Sequence, residues 1–165
     1  DEIQYAPGLL PYLKLRIDAQ REPGAFWLTG SQQFQMMKGV TETLAGRGLE
    51  GRKHVDLAMR LSPLDPLYYA MLGTRAFTHM VVGEDVAAAE WAERAARAPG
   101  AHVLIAMIAC ATQAIVGDDI RAADWAANVR SRNPVLARAD FFRSFPMKSE
   151  VTKARLAVAL ERFGF

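Results

Sequence analysis

Two segments of this chain repeat each other at a constant offset. Residues 83–92 and residues 117–126 agree at six of ten positions, namely a glycine, an aspartate, three alanines and a tryptophan. A period of about 34 residues has room for two helices and the turns that connect them. One such hairpin cannot bury its own apolar face, so we expect neighbouring hairpins to stack.

Each shared residue has a physical role in a stacked hairpin. Gly83 and Gly117 are expected to form the tight turn between paired helices, where a positive φ angle favours glycine. Asp85 and Asp119 are expected to cap the helix that follows by accepting its free N–H groups. The alanines allow two helix backbones to approach closely. The repeat therefore predicts a mainly α fold of stacked antiparallel helical hairpins.

Composition divides the chain near residue 48, because 24 of its 28 alanines follow Gly48. Residues 49–165 are expected to form a helical repeat domain. Its predicted helices cover residues 52–61, 67–82, 85–98, 101–116, 119–132, 136–142 and 149–163. Residues 1–48 carry a different pattern, which predicts a small α/β-derived segment. Its predicted elements are a helix at 9–17, a strand at 25–29 and a helix at 32–44.

Simple counts disfavour several classes of protein. A single cysteine, Cys110, excludes an internal disulfide framework and a multi-cysteine metal site. The histidines at 54, 79 and 102 are too scattered for a shared metal site. No apolar run reaches the roughly 18 residues of a membrane span, and the opening residues are not a signal sequence. We expect a cytoplasmic protein with no membrane or nucleic-acid partner, since the net charge is +2 and the arginines are interspersed with acids.

The repeat region resembles tetratricopeptide repeats. The resemblance is carried by small residues in mid-helix, glycine at each hairpin turn and proline at the end of a unit. The segment Leu61-Ser62-Pro63-Leu64-Asp65-Pro66 and the closing Phe163-Gly164-Phe165 are more narrowly similar to the C-terminal region of bacterial class III adenylate cyclases. These resemblances cover about residues 50–165 and imply a helical interaction scaffold rather than cyclase activity.

The first 47 residues resemble a second family. The motifs that carry the resemblance are Asp1-Glu2-Ile3-Gln4, Leu28-Thr29-Gly30-Ser31 and Leu44-Ala45-Gly46-Arg47. In this order they resemble the core of a prokaryotic family of AAA-type ATPases from the Walker B element onward. The resemblance implies that Asp1 holds Mg²⁺ and that Glu2 activates water. It also implies a sensor role for Ser31, or Thr29, and a charge-stabilising role for Arg47.

A phosphate-binding loop is the part of that core that this sequence lacks. No G-x-x-x-x-G-K-[ST] motif occurs in the chain, and such a loop supplies the N–H groups and the lysine that hold the phosphates. The sequence therefore predicts no autonomous ATP hydrolysis, no bound cofactor or metal, and a protein that is not an enzyme. On this interpretation the chain is a fusion or a fragment, and the alternative for Asp1 and Glu2 is a frayed, solvated terminus.

The first helix of each hairpin supplies the candidate partner-binding residues. Phe77, Met80, Leu104 and Met107 would lie on that face, and their apolar side chains favour a protein or peptide partner, or another copy of the chain. The alternative for these four residues is ordinary core. The favoured function is a non-catalytic interaction or self-association module. The alternatives are an ATPase remnant that binds Mg·ATP only with a missing Walker A half, and a chimera without an evolved function.

Overall fold

The computed structural model describes residues 12, 15, 16 and 19, residues 49–61 and residues 63–165. The chain divides into two compact units, residues 1–37 and residues 38–165. In the first unit the four described residues are helical. Three of them belong to the helix predicted at 9–17. The strand predicted at 25–29 and the helix predicted at 32–44 lie outside the described residues.

The described part of the second unit consists of helices joined by short turns. These are α1 (Leu49–Leu61), α2 (Tyr68–Val81), α3 (Asp85–Arg97), α4 (Val103–Ile115), α5 (Asp119–Arg132), α6 (Arg138–Ser144) and α7 (Glu150–Arg162). No strand occurs in this described part. The predicted mainly α fold of stacked helical hairpins is confirmed here, and each helix predicted within residues 49–165 is present with ends shifted by three residues or fewer. Among the described helices, none has both the length and the apolarity needed to cross a membrane.

The two repeated segments form equivalent hairpin turns. Helix α2 packs on α3, and α4 packs on α5. Gly83 and Gly117 end α2 and α4 with φ angles of 81° and 83°, as predicted. At the first turn, the N–H of Glu84 donates to the carbonyl of His79 at 3.0 Å, and Asp118 and Gln113 make the same bond at the second turn. This is the glycine-based helix ending in which a left-handed residue satisfies the last carbonyls.

The cap of the following helix lies one residue earlier than predicted. Glu84 and Asp118 occupy the cap positions of α3 and α5, whereas Asp85 and Asp119 are the first residues of those helices. The side chain of Asp118 accepts from the N–H of Arg121 at 3.0 Å, but that of Glu84 makes no cap hydrogen bond. The prediction that Asp85 and Asp119 are caps is therefore wrong, because the left-handed glycine turn leaves room for only one residue before the helix.

Helix α4 forms the centre of the described core. Every residue from Val103 to Ala114 is buried. Helix α4 packs against α3, α5 and α7, with a smaller contact to α2. Alanines supply the close approach that the repeat predicts, since Ala88, Ala92 and Ala122 are at most 1% exposed. A helix that is apolar all round is expected to be buried on all sides.

The last two helices fold back onto the stacked hairpins. Phe145, at the end of α6, packs against Phe77 of α2 with ring centroids 5.3 Å apart. Helix α7 begins after Ser149, which caps it, since its hydroxyl accepts from the N–H of Thr152 at 3.2 Å. Its buried stripe includes Leu156 and Leu160, both completely buried. The C-terminal arm, as we name residues 138–165, therefore covers part of the face that the first helices present.

Candidate functional site

The nucleotide-site residues implied by the ATPase resemblance have no described geometry. Asp1, Glu2, Ser31 and Arg47 all lie outside the described residues. Their predicted roles toward Mg²⁺ and phosphate therefore stay predictions. The site that the structure does describe is built on the helical hairpins.

The four predicted partner-binding residues are core residues. Phe77, Met80, Leu104 and Met107 are exposed by 2%, 1%, 4% and 0%. They lie on the first helices of the two hairpins, as predicted, but no open apolar groove is available at these positions. On this face the C-terminal arm packs against α4, and Phe145 lies directly against Phe77. The partner-binding role of the four residues stays a prediction. The alternative of ordinary core describes them in this structure.

Two acid–arginine pairs hold α7 across both hairpins. Nη2 of Arg155 donates to Oδ2 of Asp85 at 2.6 Å. Nη2 of Arg162 lies 2.8 Å from each carboxylate oxygen of Asp119, and its Nη1 donates to the carbonyl of Ala114 at 3.3 Å. We call these two ion pairs the seam. Arginine and carboxylate are charge-assisted hydrogen-bonding partners with good geometric selectivity.

The seam follows the sequence repeat. Its two acids occupy the same position of the repeat and begin equivalent helices, while its two arginines are seven residues apart on one helix. Seven residues make about two helical turns, so both arginines lie on the same side of α7 about 10 Å apart. Each hairpin thus supplies one acid at the same structural position. Helix α7 carries arginines at the matching interval.

The C-terminal end of α7 is fixed to α5. Arg130 donates from Nη2 to the carbonyl of Phe163. The guanidinium of Arg130 also lies over the ring of Phe165, with its central carbon 5.0 Å from the ring centroid. A cation over an aromatic face contributes about 0.5–1 kcal/mol at exposed sites. The last residues therefore belong to the same interface as the seam.

A second polar cluster joins α1 to the first hairpin. Nη2 of Arg52, on α1, lies 2.6 Å from Oε2 of Glu84, and Nδ1 of His79 lies 2.5 Å from the same oxygen. The side chain of His79 is only 8% exposed. Burial lowers the pKa of His79, against the opposing effect of its hydrogen bond to Glu84. The hydrogen bonds from Arg52 and His79 lower the pKa of Glu84.

Trp91 on α3 extends this cluster. Two guanidinium groups lie over the Trp91 ring. The central carbon of Arg94, on α3, is 4.3 Å from the ring centroid, and that of Arg75, on α2, is 5.2 Å from it. Nε of Arg75 also lies 3.0 Å from Oδ1 of Asp56 on α1. Two ion pairs and a stacked indole therefore fix α1 against α2 and α3. This arrangement positions helices and presents no nucleophile.

The remaining chemistry-bearing residues are structural. Cys110 is fully buried on α4, and burial raises the pKa of its thiol to about 12. A thiol of this kind is unreactive at neutral pH. His102 accepts from the N–H of Leu104 through Nδ1 at 3.3 Å at the start of α4. Within the described ranges, no group of three or more acids, histidines or cysteines could hold a metal ion.

Sequence reasoning missed the residues that make the seam. No role was predicted for Arg155 and Arg162, and the two acids were assigned to helix capping. The available signal was the identity of Asp85 and Asp119 within the repeat, combined with two arginines at an interval of seven in the last amphipathic segment. Nothing in the local sequence links them, because Asp85 and Arg155 are 70 residues apart.

Comparison with known proteins connects the first part of the chain to one family. A family model described as an AAA domain matches residues 1–65. No curated protein matches the chain, and no solved structure matches it. The match supports the AAA-type segment and extends past the predicted boundary at residue 48 to include α1. The resemblances to tetratricopeptide repeats and to cyclase C-terminal regions stay predictions.

This match corrects one prediction from the sequence. The absence of a Walker A loop led us to predict that the chain is not an enzyme, and that prediction is wrong. An AAA domain suggests an ATPase, so the chain is a candidate for nucleotide chemistry even though the match covers only residues 1–65. A segment related to an AAA domain is therefore followed in this chain by stacked helical hairpins.

Proposed function

We propose that this chain joins a segment of an AAA-type ATPase to a tetratricopeptide-like module that binds protein helices. We define the hairpin module as helices α2 to α5, residues 68–132. Its proposed role is protein interaction or self-association. The observation that carries this proposal is the seam, in which repeat-related acids on successive hairpins hold one amphipathic helix.

The contacts of α7 are of the kind by which proteins recognise an amphipathic helix. An apolar stripe, which includes Leu156 and Leu160, lies against the hairpins, while Arg155 and Arg162 at its edge pair with acids. Helix-in-groove recognition uses anchors at intervals of three, four and seven residues for the same reason. In such interfaces the buried apolar anchors provide most of the affinity, and charge pairs provide register and selectivity.

A free peptide tests the proposal. The peptide is residues 149–165 with a fluorescent label, and the acceptor is the chain with Arg155→Asp and Arg162→Asp, whose own α7 is repelled by the acids. We expect saturable binding by fluorescence anisotropy. The matched control adds Asp85→Asn and Asp119→Asn to the acceptor and should bind the peptide more weakly. Equal binding by both acceptors, or none by either, would contradict helix recognition through the seam.

The match to an AAA domain favours a second candidate function, which is Mg·ATP binding completed by a separate Walker A half. Asp1 and Glu2 would serve Mg²⁺ and the attacking water, with Ser31 and Arg47 near the γ-phosphate. The test is calorimetric titration of Mg·ATP into this chain, alone and mixed with a polypeptide that carries a Walker A loop. Binding that requires the mixture and is lost with Asp1→Asn would support the proposal. Absence of binding in the mixture would refute it.

Helix α1 connects the residues matched by the AAA domain model to the first hairpin. This helix lies within the residues matched by the AAA domain model, and it is fixed to the first hairpin through Arg52, Glu84 and His79. A change in the position of α1 would therefore act directly on the turn that precedes Asp85. This contact supports a coupling between the AAA-type segment and the hairpin module.

A further inference from the structure

We propose that the C-terminal arm is an exchangeable ligand of the hairpin module, and that a second copy of this chain supplies it in trans to form a reciprocal dimer. The proposal rests on the function proposed above, because it requires the module to bind a helix. It goes further by naming the partner. That partner is the arm of another copy.

Every contact between arm and module can be made between two chains. Arg155 meets Asp85, Arg162 meets Asp119 and Phe145 meets Phe77, and each pair joins residues on opposite sides of the segment 133–137. A second copy presents the same residues in the same helices. The interface formed in trans would therefore repeat the interface formed in cis, as in domain swapping, which is a low-cost route to dimers.

The connecting segment has few interactions of its own. Pro134 and Val135 are exposed, Val135 by 84%. The N–H groups of Val135 and Leu136 donate to the side chain and carbonyl of Asn133, both at 3.3 Å. The two ends of the segment bond to their own sides, since the N–H of Asn133 donates to the carbonyl of Val129 at 2.8 Å and that of Ala137 to Oδ2 of Asp140 at 3.0 Å. Nη2 of Arg132 donates to the carbonyl of Ala101 at 2.6 Å and holds the end of α5 on the module. Rotation within 133–137 would thus leave the module intact.

Contacts within the arm hold α6 and α7 together. Nη1 of Arg138, at the start of α6, donates to Oε2 of Glu161 at 3.1 Å and to the carbonyl of Ala157 at 3.4 Å. Phe141 and Phe145 pack edge to face with centroids 5.1 Å apart. Helices α6 and α7 also pack on each other. These contacts travel with the arm when it leaves its own module.

The match between arm and module favours the arm of a second copy over an unrelated helix as the occupant in trans. The seam requires two arginines seven residues apart beside a buried leucine stripe, and residues 150–162 have this combination. The short link of five residues gives the arm a high effective concentration near its own module. The closed monomer is therefore expected in dilute solution, and the dimer is expected to increase with protein concentration.

Charge reversal separates the cis and trans arrangements. One variant carries Asp85→Arg and Asp119→Arg, so its module repels its own arm. The second variant carries Arg155→Asp and Arg162→Asp, so its arm is repelled by its own module. When the two are mixed, opposite charges face each other in both trans interfaces. A third variant carries all four substitutions in one chain and restores the attraction in cis.

The readout is the molar mass by size-exclusion chromatography with light scattering, with far-UV circular dichroism as a check on helix content. We expect the equimolar mixture to contain at least about ten times more dimer than either variant alone. The four-substitution variant should behave like the wild-type chain and be a monomer in dilute solution. Single reversals, Asp85→Arg mixed with Arg155→Asp, give a milder version of the same test if the double variants lose helix content.

Other outcomes distinguish the partner from the function. If the mixture stays monomeric while the labelled peptide 149–165 binds the variant with Arg155→Asp and Arg162→Asp, the second-copy proposal is wrong and the module takes a free helix instead. If the mixture stays monomeric and the peptide does not bind, both the second-copy proposal and the proposed helix-binding function are wrong.

Discussion

Replacement of glycine by alanine is expected to have opposite effects on stability at two kinds of position in this chain. Gly83 and Gly117 have φ angles of 81° and 83° at the hairpin turns, and a Cβ built at either one meets no atom within 4 Å. Gly73 lies inside α2, where a Cβ would be 3.4 Å from Cδ1 of Ile105 and 3.6 Å from Cδ1 of Ile108. Space therefore permits alanine at all three positions, and the backbone conformation decides whether alanine raises or lowers the free energy of unfolding.

The magnitudes follow from the backbone. A left-handed conformation costs an L-residue about 1–2 kcal/mol, so Gly83→Ala and Gly117→Ala should each lower the free energy of unfolding by that amount. At Gly73 alanine should raise it by about 0.5–1 kcal/mol, because alanine is about 1 kcal/mol better than glycine inside a helix and the new methyl group meets ordinary van der Waals contacts. In a chain of this size, 1 kcal/mol corresponds to about 2–4 °C in Tm.

Urea unfolding followed by circular dichroism at 222 nm measures these differences. Gly83→Asn is the matched control, because asparagine tolerates the left-handed region and should lose less stability than alanine. The reasoning fails if Gly83→Ala is as stable as the wild-type chain, or if Gly73→Ala and Gly83→Ala shift stability in the same direction.

Three other predictions concern the core and the arm. Leu156→Ala should lower the free energy of unfolding, measured by urea titration, by about 2–5 kcal/mol because Leu156 is fully buried. The control is Val158→Ala at an exposed position, which should change it by less than about 0.5 kcal/mol. Equal losses would contradict the packing of α7. Burial lowers the folded-state pKa of His79 and of His102 from 6.5, so the unfolded chain binds more protons in acid. Stability should therefore decrease as the pH falls below 6.5, and glutamine at both positions should flatten a plot of urea midpoint against pH; an unchanged slope would contradict this assignment. Cys110, whose pKa is raised to about 12, should react with a thiol reagent only after denaturation, and rapid reaction of the native chain would count against its burial.

The helices and turns were predictable because their signals are local. Glycine at 83 and 117 and proline at 99 and 134 interrupt apolar periodicity at intervals that fit single helices. The positive φ angles at the two repeated glycines follow from the same pattern. Local chemistry specifies these features regardless of what packs around them.

The repeat alone did not predict that the chain's own C-terminal arm packs on α2 and α4. An apolar stripe such as Phe77 and Met107 looks the same whether a partner or the chain's own arm lies on it. Asp85 was assigned as a cap from local propensity, whereas its observed partner, Arg155, is 70 residues away. Contacts at such separation depend on the path of the whole chain, which the period of the repeat does not determine.

The spacing of the arginines on α7 equals the spacing of the acids on successive hairpins, so the length of α7 sets how many hairpins it can contact. Each added hairpin would bring another acid to the edge of the stack, about two helical turns farther along α7. A longer stack would need a longer last helix with a further arginine after seven more residues. Insertion of a single residue between Arg155 and Arg162 would rotate the second arginine by about 100° and separate it from Asp119. The length of the final helix is therefore matched to the number of hairpins that its arginines reach.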